Sequence, residues 1–348
     1  MGAVALRENF GLVQVLRGVA ALWVVLFHAS EGHHIDGLKS TLPGFGRELF
    51  ELGGNGVAIF FALSGFVIAH SIRGDTITPA YIGRFALRRS IRLDPAYWLS
   101  IAFFLGVAAI SAFVKHEAFA APTIRQLAAN MTYTQLFLNQ PSINVVYWTL
   151  CYEVQFYLVL VLCVMAAQRF GQTALLIPFA AAILWGSGLL HEPFPGLFLD
   201  RWHCFFLGAL AYWSKDNRWA LAGFISLCAA VLIGNPNPFT AICAATAAVL
   251  MVARQTGFIA NGLASRPTLF LGTVSYSLYL THNPVTGASF FITAKLHVPE
   301  WLGLIICVAA CIGFAAVFWW IIERPTMKLA KRVKLRPGAS KPLIPAIA

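Results

Sequence analysis

The chain has 348 residues, 59% of them hydrophobic and only 11% charged, and its mean hydropathy of +0.72 excludes an ordinary soluble domain in favour of a polytopic membrane protein. Twenty-five Lys and Arg against 14 Asp and Glu give a net charge of +11, which reads as membrane topology with some attraction to anionic lipid and not as a nucleic-acid surface. No separate soluble catalytic unit fits, so residues 1–330 are expected to form one all-α transmembrane domain, with 331–348 a basic, flexible cytoplasmic tail.

About ten transmembrane helices are predicted, near residues 12–30, 55–72, 96–114, 145–167, 173–190, 201–213, 219–234, 238–254, 268–290 and 301–322; the sixth to eighth are the shortest. With both termini cytoplasmic, eighteen Lys and Arg fall inside, from Arg7 to the tail, and five outside: Lys39, Arg47, Lys115, Arg125 and Lys295. That bias obeys the positive-inside rule.

The first segment carries Arg17 and His28 within an apolar run. The uncharged stretch between them is too short for a crossing, which needs about 20 helical residues, so the span extends back past Arg17. Eleven residues bring a helix to within about 20° of its starting face, which places both side chains on one stripe about 16 Å apart along the axis. An arginine at that depth costs roughly 2.5–3.5 kcal/mol and faces protein or a wet cavity. It also interrupts the core of any signal peptide, no small-residue cleavage site follows, and nine apolar segments come after, so a retained span is expected.

The next loop holds Glu31, His33, His34 and Asp36, which read as a solvated loop; no metal is expected. Gly53, Gly54, Asn55 and Gly56 open the second segment in the way a broken transporter helix would. Inside it, Ser64-Gly65 reads as a close-packing pair or as a nucleophile. Before the third segment Arg89 and Arg92 stand three apart on one helix face, with Arg84 and Arg88 on a neighbouring stripe. Glu153 lies roughly 12 Å into the fourth segment, deep enough to require a partner, either functional or a structural ion pair. The seven cysteines sit in or beside apolar segments without CxxC spacing, so they read as packing residues. In the ninth segment His282 precedes Pro284, and it reads as a second base or as a partner for carbonyls freed by the proline.

Several short patterns recur in order along the chain. They are Leu16-Arg17-Gly18-Val19-Ala20-Ala21 through His28, then Phe60-Phe61-Ala62-Leu63-Ser64-Gly65-Phe66, and Arg89-Ser90-Ile91-Arg92 before Pro95. Trp148-Thr149-Leu150-Cys151-Tyr152-Glu153-Val154-Gln155-Phe156-Tyr157 follows, then Ser275-Tyr276-Ser277-Leu278-Tyr279-Leu280-Thr281-His282-Asn283-Pro284 and Glu323-Arg324-Pro325. Together they resemble the membrane-bound acyltransferase family 3, which O-acylates sugars and other acceptors at the bacterial envelope, and the opening segment is similar to its exopolysaccharide-modifying branch. Thr149 stands where serine is usual, Asn283 where an aromatic is common, and Asp94 precedes Pro95; these departures bear on acceptor choice more than on reaction class.

The resemblance implies a multi-pass protein of the bacterial inner membrane. Its partners would be the lipid bilayer, acyl-CoA as donor substrate (acetyl-CoA on the resemblance) and a carbohydrate acceptor, lipid-linked or polymeric; no bound cofactor is expected. Arginine forks suit phosphates, so Arg89 and Arg92 are expected to grip the donor from the cytoplasm and Arg17 to steady the CoA arm or the thioester oxygen. The alternative is ordinary positive-inside charge. A neutral imidazole takes the proton of a sugar hydroxyl as that oxygen attacks the thioester, a role assigned to His28, with a buried histidine bonded to a carbonyl as the plainer reading. Glu153 is expected to orient His28 or Arg17 or to bind an acceptor hydroxyl. Ser64, Trp148, Ser275, Tyr276 and His282 are substrate-contacting or structural candidates. A polytopic secondary transporter of a small anionic substrate is the alternative, although the paired halves common in that class are not found.

Overall fold

The structure, a computed structural model, describes residues 10–335. Arg7 and most of the expected tail lie outside the described residues. Each of the ten predicted segments overlaps a helix, though the bounds differ and fewer are of spanning length: α1 (Gly11–Glu31), α2 (Gly56–Ser71), α3 (Pro79–Lys115), α4 (Trp148–Phe170), α5 (Leu176–Gly186), α6 (Leu199–Trp213), α7 (Arg218–Gly234), α8 (Pro238–Thr256), α9 (Arg266–Lys295) and α10 (Glu300–Phe318). The fold is all-helical, with no strand among the described residues.

Six stretches are long and apolar enough to cross a membrane: Gly11–Glu31, Gly44–Ser71, Pro79–Lys115, Val145–Phe170, Pro238–Thr256 and Glu300–Ala330. The shorter apolar helices, Gln172–Gly186 and Arg218–Gly234, and the 15-residue α6 are packed among them. In α6 every residue from Trp202 to Tyr212 is buried, so it is a central post clad on all sides by α2, α5, α7 and α8. A helix apolar all round is enclosed by protein or by lipid, and here the enclosure is protein.

Helix starts follow local chemistry. Thr78 caps α3 by accepting from the Tyr81 amide ahead of Pro79; Asn237 caps α8 ahead of Pro238; Ser265 and Thr268 form a reciprocal cap on α9. Each side-chain oxygen satisfies an amide that the first turn leaves open, and proline in the first turn has no amide to satisfy. The cap at Thr78 starts α3 well before its apolar half, and the helix runs unbroken for 37 residues with Pro95 inside it. Arg84 to Arg92 therefore stand on a continuous helix leading into the bundle.

Two close helix crossings set the positions of the candidate side chains. The most extensive packing is α1 against α9, followed by α2 against α6. A Cβ on Gly272 would overlap the Gln14 carbonyl, and one on Gly65 would overlap that of Phe205. Glycine is thus required where backbones touch. The Gly53–Gly56 stretch is a 3-10 lead-in (Leu52–Asn55) to α2, with Gly53 against the Trp23 carbonyl and Gly56 against that of Ala20. Its glycines serve packing on α1 and not a broken span.

Candidate active site

A cavity of about 110 Å³ lies where α1, α2, α3, α4 and α9 converge. Arg17 enters it from α1, Ser64 from α2, Arg89 and Arg92 from α3, Thr149, Glu153 and Tyr157 from α4, and Tyr276 and Tyr279 from α9, between apolar walls that include Phe60, Phe61 and Val67. The structure thus brings together residues that are up to about 260 positions apart in the chain. Arg84 and Arg88, on the neighbouring stripe, do not line it.

The three guanidiniums are held in different ways. Arg89 lies over the Tyr157 ring at 4.6 Å and over Phe85 at 5.4 Å, contacts in which ring faces attract the cation and fix its plane. The Nε of Arg92 is buried without a hydrogen-bond partner among the described residues. Arg17 lines the same cavity as Arg92 and Glu153. Among the described residues no carboxylate is within ion-pair reach of Arg17, Arg89 or Arg92; ion pairs elsewhere join His33 to Asp36, Lys39 to Glu51, and Arg73 and Arg254 to Asp216. Removing three cations from water without direct counterions is costly, and an anion in the cavity would offset that cost.

The partners of Glu153 differ from those expected. Its Oε1 accepts from Ser64 Oγ at 2.9 Å and from the Tyr157 hydroxyl, with no hydrogen bond to Arg17 or His28 among the described residues. Tyr157 is four residues along α4 and so one turn away, a spacing visible in the sequence but not exploited there. Glu323, fully enclosed in the π-helical turn Trp319–Glu323, accepts from Ser277 Oγ at 2.7 Å. A π-turn inserts an extra residue into the helix and is frequent at functional sites.

His28 does not line this cavity. It sits further along α1, half-buried, with its ring 5.2 Å from that of His282 on α9. His282 is fully buried, and its Nδ1 approaches the carbonyls of Leu278 at 3.1 Å and Tyr279 at 2.9 Å. Pro284 leaves the carbonyl of Leu280 without its usual amide donor, so His282 does not serve the carbonyl freed by the proline.

The remaining candidates divide between cavity and scaffold. Tyr276 lines the cavity and donates to the Leu93 carbonyl at 3.3 Å. Trp148 stands behind it, edge-on to Phe61 and Tyr152. Ser275 lies off the cavity and donates to the Gly272 carbonyl at 2.8 Å, which makes it part of the α1–α9 crossing. Thr149 shares a 2.8 Å hydrogen bond with Tyr279. Asn283 donates to Asn144 at 2.9 Å, and Asp94 accepts from Tyr133 at 2.9 Å and from Ser90. Outside the spans, His33 pairs with Asp36 at 3.0 Å, whereas His34 stacks on Phe290 at 4.6 Å and is held below its ordinary imidazole pKa by burial and by the neighbouring His33, with Asp36 opposing.

Over residues 12–321 the chain matches a family described as an acyltransferase domain. It is similar to nodulation protein 10 of Rhizobium leguminosarum bv. viciae, at 28% identity covering 93% of this chain and 94% of the relative. It is similar as well to exopolysaccharide production protein ExoZ of Rhizobium meliloti (strain 1021), at 25% identity covering 90% and 98%. A shorter likeness, 38% identical over 27% of this chain and 44% of the relative, links it to protein 2 in the picA locus of Rhizobium radiobacter. No solved structure matches.

Proposed function

This chain belongs to the acyltransferase 3 family and is multi-pass in the membrane, and from that premise we propose that it moves an acetyl group from cytoplasmic acetyl-CoA to a hydroxyl of an envelope or exopolysaccharide carbohydrate. The observation that carries the reading is the cavity faced by Arg17, Arg89 and Arg92, none of them paired with a carboxylate among the described residues. Acyl-CoA presents several phosphates, and guanidinium forks bind phosphate bidentately. Arg89 and Arg92, on the half of α3 that leads into the bundle, bind the phosphate end. Arg17, deeper, meets the pantetheine arm, which carries the thioester about 16 Å further along α1 to His28.

His28 stands on the same helix face as Arg17 and towards the opposite surface. There it takes the proton of the acceptor hydroxyl while that oxygen bonds to the thioester carbon; the C–S bond breaks, and the imidazolium returns the proton to the departing thiolate. A positioned base of this kind contributes about 10²–10⁴-fold. Glu153 stabilises the donor side through Ser64 and Tyr157. The likeness to a protein named for exopolysaccharide production supports a polysaccharide acceptor.

A second reading rests on one contact. The Ser64 hydroxyl already donates to a carboxylate at 2.9 Å, the arrangement of an activated nucleophile, which would make transfer two-step through an acyl-serine. Labelled acetyl-CoA, supplied to inverted and right-side-out vesicles, tests both readings. Label entering polysaccharide only from the inverted face supports a cytoplasmic acetyl-CoA donor, and ester formed from a different donor, with none from acetyl-CoA, would refute it. Label held on the protein without acceptor, and lost in Ser64→Ala, would favour the acyl-serine.

A further inference from the structure

His282 offers a deduction that does not depend on the donor cavity. Carbonyl oxygens only accept, so the nitrogen facing Leu278 O and Tyr279 O must carry the proton. A neutral imidazole has a single N–H. Nε2 of His282 is therefore a bare acceptor, and it is fully buried with no hydrogen-bond partner among the described residues. An unpartnered acceptor inside a membrane protein is costly. Around it α1 and α9 meet through apolar side chains, including Ala21, Val25, Val274 and Leu278, and the one ionisable ring packed against it from α1 is His28, at 5.2 Å between centroids. Cys311 of α10 donates to the His282 backbone carbonyl at 3.7 Å and also meets the Thr286 hydroxyl, with no hydrogen bond to the His282 ring among the described residues. His28 makes no side-chain hydrogen bond among the described residues, and its ring packs edge-on to Phe27 at 5.0 Å as well as against His282.

We infer that His282 is a positioning residue that fixes the tautomer of His28: the turned His28 ring donates its N–H to Nε2 of His282, which leaves its other nitrogen with a lone pair aimed at the acceptor hydroxyl. The inference rests on the proposed role of His28 as the base. The chemistry balances without any further reactant, since the proton taken from the hydroxyl by the free nitrogen leaves on the thiolate of CoA, while the proton shared with His282 stays in place throughout. His282 thus acts through His28 and does not itself exchange a proton with substrate, in the way an orienting carboxylate acts in a serine hydrolase triad.

Two amide variants separate this role from a purely structural one. In His282→Gln the side-chain oxygen reaches the Nε2 position and keeps the acceptor, whereas in His282→Asn the amide reaches only the Nδ1 position and keeps the bond to the carbonyls. At equal membrane abundance, with acetyl-CoA and the cell's own polysaccharide, His282→Gln is expected to retain most of the wild-type turnover and His282→Asn to lose on the order of 10²–10⁴-fold. Activity preserved in Asn and lost in Gln, or preserved in both, would overturn the inference. Should the variants fold poorly, nitrogen NMR of ring-labelled wild type decides: one neutral tautomer of His28 is expected, and a mixture of the two would overturn it. Full activity of His28→Ala would refute the base itself, a failure distinguishable from a wrong assignment of His282 because the tautomer spectrum does not depend on turnover.

Discussion

Arg89→Gln tests the donor cavity most sharply, because Arg89 is the cation whose plane is fixed. Its guanidinium rests between Phe85 at 5.4 Å and Tyr157 at 4.6 Å, so little side-chain freedom remains to be lost when a phosphate binds. Glutamine removes one charge-assisted contact, worth about 1.5–3 kcal/mol. At about 1.4 kcal/mol per decade, acetyl-CoA should bind roughly 10- to 100-fold more weakly. Arg89→Lys should fall between, since it keeps the charge but loses the planar fork that stacks on the rings. Arg88 is one residue away and half-buried but off the cavity, and Arg88→Gln should change affinity by no more than about twofold, as substitutions away from a binding site do. The assay is calorimetric titration of detergent-purified protein with acetyl-CoA. Unchanged affinity in Arg89→Gln, or an equal loss in Arg88→Gln, would show that these arginines supply topology and nothing more.

Tyr157→Phe removes the hydroxyl from Glu153 but leaves a ring under Arg89, so kcat should fall about fivefold, the worth of about 1 kcal/mol, while KM for acetyl-CoA holds; a rise in KM instead would place Tyr157 in donor binding. Gly272→Ala drives a methyl into the Gln14 carbonyl and should destabilise the protein by about 1–3 kcal/mol, seen as a lower melting temperature in detergent; an unchanged melting temperature would contradict the close α1–α9 crossing. The depressed pKa of His34 means that the fold prefers its neutral ring. Its stacking on Phe290 should therefore be intact above pH 6.5 and weaken as the pH falls below that value. Proteolysis of the loop should accelerate on acidification in wild type and not in His34→Phe; equal acceleration in both would assign the effect elsewhere.

Hydropathy made the ten helices legible because apolar length is a one-dimensional property. It could not reveal that α6 is a buried post, since a helix enclosed by protein and one enclosed by lipid read alike. Nor did the apolar pattern show that α3 begins at Pro79, some sixteen residues before its apolar half; that boundary is carried by the Thr78 cap. Arg17, Arg89, Arg92, Ser64 and Glu153 stood out as polar groups in apolar surroundings, and they meet in one cavity. Their pairings were legible only in part. Glu153 needs a partner at its depth, and Tyr157 one turn along α4 was open to reading from the spacing, whereas Ser64 comes from α2, a contact between distant segments. The link between Ser277 and Glu323 was hidden for the same reason, and by a π-turn with no sequence mark of its own. The shared face of Arg17 and His28 was predictable from 3.6-residue periodicity, while the meeting of His28 with His282 required the register of α1 on α9.

The central claim is that this chain esterifies a carbohydrate through His28 and Arg17, and the most direct test is the ester content of envelope and secreted polysaccharide. NMR spectra should be compared between cells lacking the protein and cells complemented with wild type, His28→Ala or Arg17→Ala of verified membrane abundance. The account predicts that one acyl resonance disappears in the deletion, returns with wild type and stays absent with either variant. An ester profile unchanged by the deletion, or restored in full by His28→Ala, would contradict it.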